Sequence, residues 1–332
     1  MSDYSPNYTV EPAYQQTDVY GNPLDDEQRE ALQDHLADDN APDFTKSNWK
    51  TVESREAWRD ILSRAQQGMR EAEWRSVLDG ETDRRAAIIH IDNYNREQWL
   101  RRISQNDLAY RDVMFSQSND GYSHKFKAAS PNDPTRQTYS VIATNDDIAD
   151  QMEESILGSG REHDDRIGRF LGFPECCRRF FYDQWHEKGN IDPIYEITCN
   201  TDSVEMVDGN PEHLRVVDPS PGANVMWRYF GFSFITHLPC SWDCEESIEI
   251  ARNRYRIMAE NGYKDAADAL TQWLSLPSTW SGLHSQALVK NEHFIGKSKT
   301  SLYPNKKRVI WGEEHTGGSP LDEGGKPPEE QE

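Results

Sequence analysis

The chain is short of cysteine, with five in 332 residues, short of lysine, and without any long apolar run. Each shortage excludes something. Nothing approaches the roughly 18 consecutive apolar residues of a membrane span, and the opening MSDYSPNYTVEPAYQQTD lacks the basic start and apolar stretch of a secretory signal. The expectation is a cytoplasmic protein, in host cytoplasm if the source is viral, with reduced thiols and no membrane partner. No glycine-rich phosphate loop follows a strand-like segment, which argues against a nucleotide-binding fold of that type. Ser281 and His284 lack the glycine-framed elbow of a hydrolase nucleophile.

Positive charge is scarce as well. There are 58 acids against 36 bases, and the bases comprise 24 arginines but only 12 lysines, for a net charge of −22. Residues 1–50 hold 11 acids and three bases, and residues 311–332 hold seven acids and one lysine. The ends therefore carry −8 and −6, leaving −8 for residues 51–310. Acidic, lysine-poor composition fits a halophilic source, where molar salt screens self-repulsion within about 3 Å. An ordinary protein with disordered acidic tails has the same composition. Neither case provides a general attraction to duplex nucleic acid, so a small molecule or nucleobase is the expected partner. The oligomeric state is not legible.

At 35% hydrophobic, the chain can bury a sizeable core. The pattern divides it into an acidic tail over 1–50, one domain over 51–312 and a second acidic tail over 313–332. Residues 51–78 show helical periodicity through Trp58, Ile61, Leu62, Ala65, Met69, Ala72 and Trp74. AAIIHID at 86–92 and QTYSVIAT at 137–144 read as strands, NREQWLRRIS as a helix, and Asn145 as the cap of a helix through DDIADQMEESIL. The alternation predicts an α/β or α+β fold: a mixed sheet with flanking helices.

The cysteines are grouped. In LGFPECCRRFFYDQW, Pro174 suits a helix start, Glu175 suits its positive dipole end, and Cys176 and Cys177 fall in the first turn. In WRYFGFSFITHLPCSWDCEES, a strand-like run leads to Pro239, with Ser241 as a plausible cap and Cys240 and Cys244 four residues apart. Folding that joins the two helix starts would converge four thiols on one Cys-rich site. Helix starts favour thiolate, the form that binds soft metals or attacks electrophiles. Cys176 or Cys177 with Cys240, Cys244 and His237 would satisfy zinc, while three or four thiolates would also suit an iron-sulfur cluster. A disulfide, a reactive thiol and plain apolar packing are the competing readings. Cys199 stands apart and reads as a core residue.

Around these segments, His163 in REHDDRIGR is a candidate ligand or proton carrier, in a cluster that also reads as a solvated face. Arg166, Arg169, Arg178 and Arg179 are candidates for an anionic substrate group or for surface ion pairs. Arg228, flanked by aromatics, could border a stacked base or simply belong to a half-buried strand. His284, Lys290 and His293 read as structural residues near the site.

LGFPECCRRFF and HLPCSWDCEES, with RYFGF upstream of the second, resemble the paired signatures of an uncharacterised family of archaea, bacteria and tailed viruses. The similarity spans about residues 137–296. It implies that Cys176, Cys177, His237, Cys240 and Cys244 form a shared site, and that the activity concerns deazaguanine-type base modification of DNA. Two functional classes follow. One is a metal-dependent lyase or hydrolase that decarboxylates or hydrolyses a substituent of a heterocyclic base, with Glu175, Asp243 or His163 moving the proton. The other is a binding or structural protein stabilised by a closed zinc site. Direct attack by Cys176 or Cys177 is a third route.

Overall fold

The computed structural model describes residues 46–298, apart from residues 81, 92–95, 118–125, 131–132, 134–135, 188–192, 203, 208–212, 217–219 and 282–286. His284 and nearly all of both expected tails lie outside the described residues. Lys46–Trp49, assigned by composition to the first tail, is strand β1.

Helix α1 (Val52–Arg75) starts where Thr51 accepts a hydrogen bond from the Ser54 amide at 3.0 Å. Its Leu62, Ala65, Met69 and Ala72 enter the larger core, and Trp74 near its end enters a smaller one. The helix therefore links both halves of the molecule. Gly68 permits a close approach: a β-carbon there would lie 2.7 Å from Met258 Cε.

The first half is a four-stranded sheet with order β2-β5-β3-β4, formed by β2 (Ala86–Ile89), β3 (Ala109–Gln117), β4 (Phe126–Ala128) and β5 (Gln137–Ala143). Helices α2 (Arg96–Ser104), α3 (Asp146–Leu157) and α4 (Arg161–Phe170) complete it. Side chains alternate across a strand. Ala86, Val141 and Ala143 accordingly pack with Ile148 and Met152 of α3, while Ala87, Ile89 and Ile142 pack with Trp74 and with Trp99 of α2. Burial on both faces explains why AAII and VIA are continuously apolar. Asn145 caps α3 through the Ile148 amide at 2.9 Å, as its sequence predicts.

The second half contains α5 (Glu175–Tyr182), α6 (Ile194–Cys199), β6 (Val204–Met206), β7 (His213–Val216), α7 (Glu245–Met258) and α8 (Lys264–Leu274). It ends with β8 (Ser278–Ser281), β9 (Ala287–Lys290) and β10 (Phe294–Ser298), in a six-stranded sheet of order β1-β10-β9-β8-β7-β6. Its core is aromatic. Trp273 meets Trp49, Trp58, Trp227 and Phe294 with ring centroids 5.1–6.0 Å apart, mostly edge to face. The fold is α+β. Each pairing within the two sheets is antiparallel, so two separate sheets replace the single mixed sheet expected.

The run from Trp227 to His237 departs from its strand-like pattern. It makes a short 3-10 turn at Arg228–Phe230, closed by Gly231 at φ +77°, and continues irregularly. Side chains, rather than a neighbouring strand, satisfy its carbonyls: Gln66 donates to Phe230 O at 2.8 Å and Arg254 to Phe234 O at 2.8 Å. Alternating aromatics here reflect burial of a packed loop.

Candidate metal centre

Two turns deliver the thiols. After α4, Gly172 adopts φ +69°, where a β-carbon would lie 3.1 Å from Arg84 Cβ, and the Phe173 amide donates to Gly168 O at 2.8 Å. This turn aims Pro174 into α5, so Cys176 and Cys177 occupy the first helical turn. The second pair is held differently. Ser241 does not cap α7; Cys244 does, with the helix beginning at Glu245 and Cys240 lying in the preceding turn. That turn is fixed from α6: Asn200 donates to Cys240 O at 2.9 Å, and the Trp242 amide donates to Thr201 Oγ1 at 2.8 Å. Trp242 itself is buried, its indole bonded to Thr198 Oγ1 at 3.1 Å.

The four sulfurs converge. Cys176, Cys177, Cys240 and Cys244 place all their Sγ atoms within 4.8 Å of one another. Cys176 and Cys177 are 3.7 Å apart, Cys176 and Cys244 3.8 Å, and Cys177 and Cys244 3.6 Å. A disulfide needs about 2.0 Å, so these are separate thiols. A tetrahedral zinc thiolate with bonds of about 2.3 Å has edges of about 3.8 Å. The distances among Cys176, Cys177 and Cys244 match those edges, and Cys240 lies within 4.8 Å of each. Four sulfurs this close could hold a metal ion or a cluster.

Without metal, the four thiols share their protons unequally. The hydrogen bond from Cys177, with further bonds from Ser247, lowers Cys244 to about 5 against the effect of burial. Burial, then the neighbouring Cys244 and Cys240, pushes Cys176 up to about 12. Cys177 is raised by its hydrogen bond to Cys244 and by burial, and Cys240 is raised by burial. Cys244 is the most acidic of the four. Sequence reasoning missed Glu246, whose carboxylate accepts from Cys176 at 3.4 Å and lies 3.6 Å from the Cys244 sulfur.

His237 is not a fifth member of the cluster. Its Nε2 lies 2.8 Å from Ser247 Oγ, which in turn lies 3.3 Å from Cys177 Sγ. It therefore reaches the sulfurs through Ser247, and its ring packs on Phe173 with centroids 4.8 Å apart. Burial, then Arg254, Arg84 and Arg228, lowers its pKa to about 3 and keeps the imidazole neutral. Arg84 and Arg254 share a buried Glu73 carboxylate, one on each oxygen.

A cavity of about 590 Å³ opens beside the centre and meets it at Cys177. Glu175, Arg178 and Arg228 line it, as do Asp164 and His186, which the sequence did not single out as a pair. Asp164 and His186 are 2.6 Å apart, and burial raises the Asp164 pKa despite this contact. Other candidates are elsewhere. His163 packs on Gly158, and Arg166 pairs with Glu154 and Glu162 at 3.2 and 3.1 Å; neither lines the cavity. Asp243 is exposed and also outside the lining. Cys199 is exposed at the end of α6 rather than in the core. His293 accepts or donates at Ser54 Oγ, 3.0 Å away, in a structural setting.

No protein family, characterised protein or solved structure matches the chain. Among the described residues, no helix is long and apolar enough to cross a membrane. The four cysteines define a site able to hold a metal ion.

Proposed function

We propose that Cys176, Cys177, Cys240 and Cys244 bind one zinc ion as thiolates, fastening the start of α5 to the start of α7 and forming one wall of a small-molecule pocket. The observation that carries this reading is the convergence of the four sulfurs, all within 4.8 Å of one another and three of them 3.6–3.8 Å apart. Four thiolates complete a zinc shell, which favours a zinc-stabilised binding protein over one whose metal activates water. Elemental analysis and an absorption spectrum of protein purified without oxygen test it. One zinc per chain with no visible absorption is expected; iron with inorganic sulfide would overturn it.

A second reading, an enzyme, is favoured by Glu175, Asp164 and His186 sharing the cavity with Cys177. In this reading the pocket accepts a heterocyclic base, and Glu175 or the Asp164–His186 pair moves a proton during decarboxylation or hydrolysis of a ring substituent. Membership of the family with paired cysteine signatures, and its link to deazaguanine-type DNA modification, belongs to this proposal. The acidic surface supports a free base or nucleotide as substrate over a duplex. Glu175→Gln and Asp164→Asn should retain zinc while abolishing turnover of carboxylated or amidated bases; full turnover in both rejects the assigned roles.

A further inference from the structure

The cavity beside the thiols has a charge opposite to that of the chain. Five arginines line it, Arg161 and Arg169 from α4, Arg178 and Arg179 from α5, and Arg228 from the turn after Trp227. Its lining has three carboxylates, Asp164, Asp165 and Glu175. Five less three leaves an excess of two positive charges in a chain of net charge −22. One of the acids is engaged by His186, and Asp165 is divided between Arg169 at 2.7 Å and Arg178 at 3.3 Å.

Arg178 is built into its place. Its stem crosses Gly168 so closely that a β-carbon there would lie 2.7 Å from Cδ. Its Nε is buried 3.3 Å from the Asp165 carboxylate, an ion pair that fixes the guanidinium in the cavity wall. Aromatic rings supply the other surface: Phe173, Phe181 and Tyr182 line the same space, with Tyr182 stacked on His186 at 5.3 Å and Arg161 lying 4.0 Å over the Tyr182 ring.

We infer that this cavity binds a phosphomonoester carried on a flat ring, with Arg178 and Arg228 holding the phosphate. The inference rests on the pocket reading above and specifies its ligand class. A carboxylate carries one charge and is met by one guanidinium fork, whereas a phosphomonoester carries about −1.5 to −2 and offers three acceptor oxygens. Five arginines around one cavity can offer more than one such fork, which suits the latter. The volume of about 590 Å³ falls within the roughly 300–1,000 Å³ of small-ligand sites.

The test is calorimetric titration of the full zinc-loaded chain, at the lowest potassium chloride concentration where circular dichroism shows it folded. The probes are inorganic phosphate, phenyl phosphate and benzoate. Phenyl phosphate should bind saturably at one per chain, more tightly than inorganic phosphate and at least about tenfold more tightly than benzoate. Arg178→Gln should weaken phenyl phosphate by about tenfold or more while zinc content stays unchanged. If that variant misfolds, Arg179→Gln, an exposed position, should weaken it by about threefold. Absence of saturable phosphate binding by folded, zinc-replete protein overturns the inference, as does equal affinity for benzoate or indifference to the folded arginine variants. Chain that binds phenyl phosphate but holds no zinc would refute the metal proposal and leave this one standing.

Discussion

Stripping the metal should disconnect α5 from α7, and reloading it should expel protons in a countable number. Structural zinc in small domains contributes about 10–16 kcal/mol of apparent binding free energy at pH 7, comparable to the roughly 5–15 kcal/mol that holds an ordinary domain folded. Chelation should therefore lower the midpoint of thermal unfolding sharply or unfold the second half outright. In the metal-free state Cys244 lies near 5, while Cys176 is near 12 and Cys177 and Cys240 are also raised. At pH 7 one thiolate is present and three sulfurs keep their protons. Zinc requires all four as thiolates, so loading should release about three protons per ion. A pH-stat titration of metal-free protein with zinc chloride, in the salt that preserves its fold, counts them directly. Chelation without loss of stability would refute the clamp, and release of one proton or fewer would refute the four-thiolate shell.

Glu73→Gln should cost about 3–5 kcal/mol in denaturant unfolding, because Arg84 and Arg254 would remain buried together without their shared carboxylate. A loss below about 1 kcal/mol would show that the triad is not the internal anchor described. Ser247→Ala breaks the path from His237 to Cys177 and should weaken zinc binding about 10–100-fold, with a shifted cobalt(II)-thiolate spectrum; unchanged affinity and spectrum would remove Ser247 from the centre. His237 supplies a pH dependence: its folded pKa of about 3 lies below the ordinary 6.5, so only the unfolded chain takes up its proton between these values. Stability from this group is complete above about pH 6.5 and declines as pH falls to about 3, by roughly 5 kcal/mol in all. Urea series across that window should fall less steeply for His237→Gln, and parallel acid limbs would contradict the assignment.

Local signals on the chain were legible where local contacts decide the outcome. The Asn145 cap and the buried stripe of α1 follow from short-range pattern, and the two strands buried on both faces follow from their unbroken apolar runs. The convergence of the cysteine pairs was also visible, because each pair follows a proline at a chain turn. Which sulfurs meet was harder to foresee. Neighbouring helical side chains leave the axis about 100° apart, which argues for one ligand from Cys176 and Cys177. Both nevertheless turn towards Cys244, and His237 is displaced to the far side of Ser247. The six-stranded sheet was illegible because its strands are only three to five residues long and because two of its pairings, β1 with β10 and β7 with β8, join segments remote in sequence. His186 was passed over for a similar reason: its partner Asp164 is 22 residues away.

The same charges that make the chain acidic make its cavity selective. A zinc ion with four thiolates carries −2, and Glu246 adds another negative group at its edge. Placing an anionic ligand next to that centre is unfavourable unless positive charge lies closer to the ligand. The buried pair Arg84 and Arg254 against Glu73 contributes +1, and the cavity wall contributes a further +2. Arg84, Arg254 and Glu73 are buried and Arg178 and Arg228 half-buried, where fields decay less than in water. The outer carboxylates act through solvent, and screening confines them to about 8 Å at physiological salt and about 3 Å at 1 M. Raising the salt therefore suppresses the long-range repulsion from the acidic surface faster than it weakens the short contacts to Arg178. A net charge of −22 sets how the molecule behaves towards polyanions at a distance; the arginines around Cys177 set what it holds at contact.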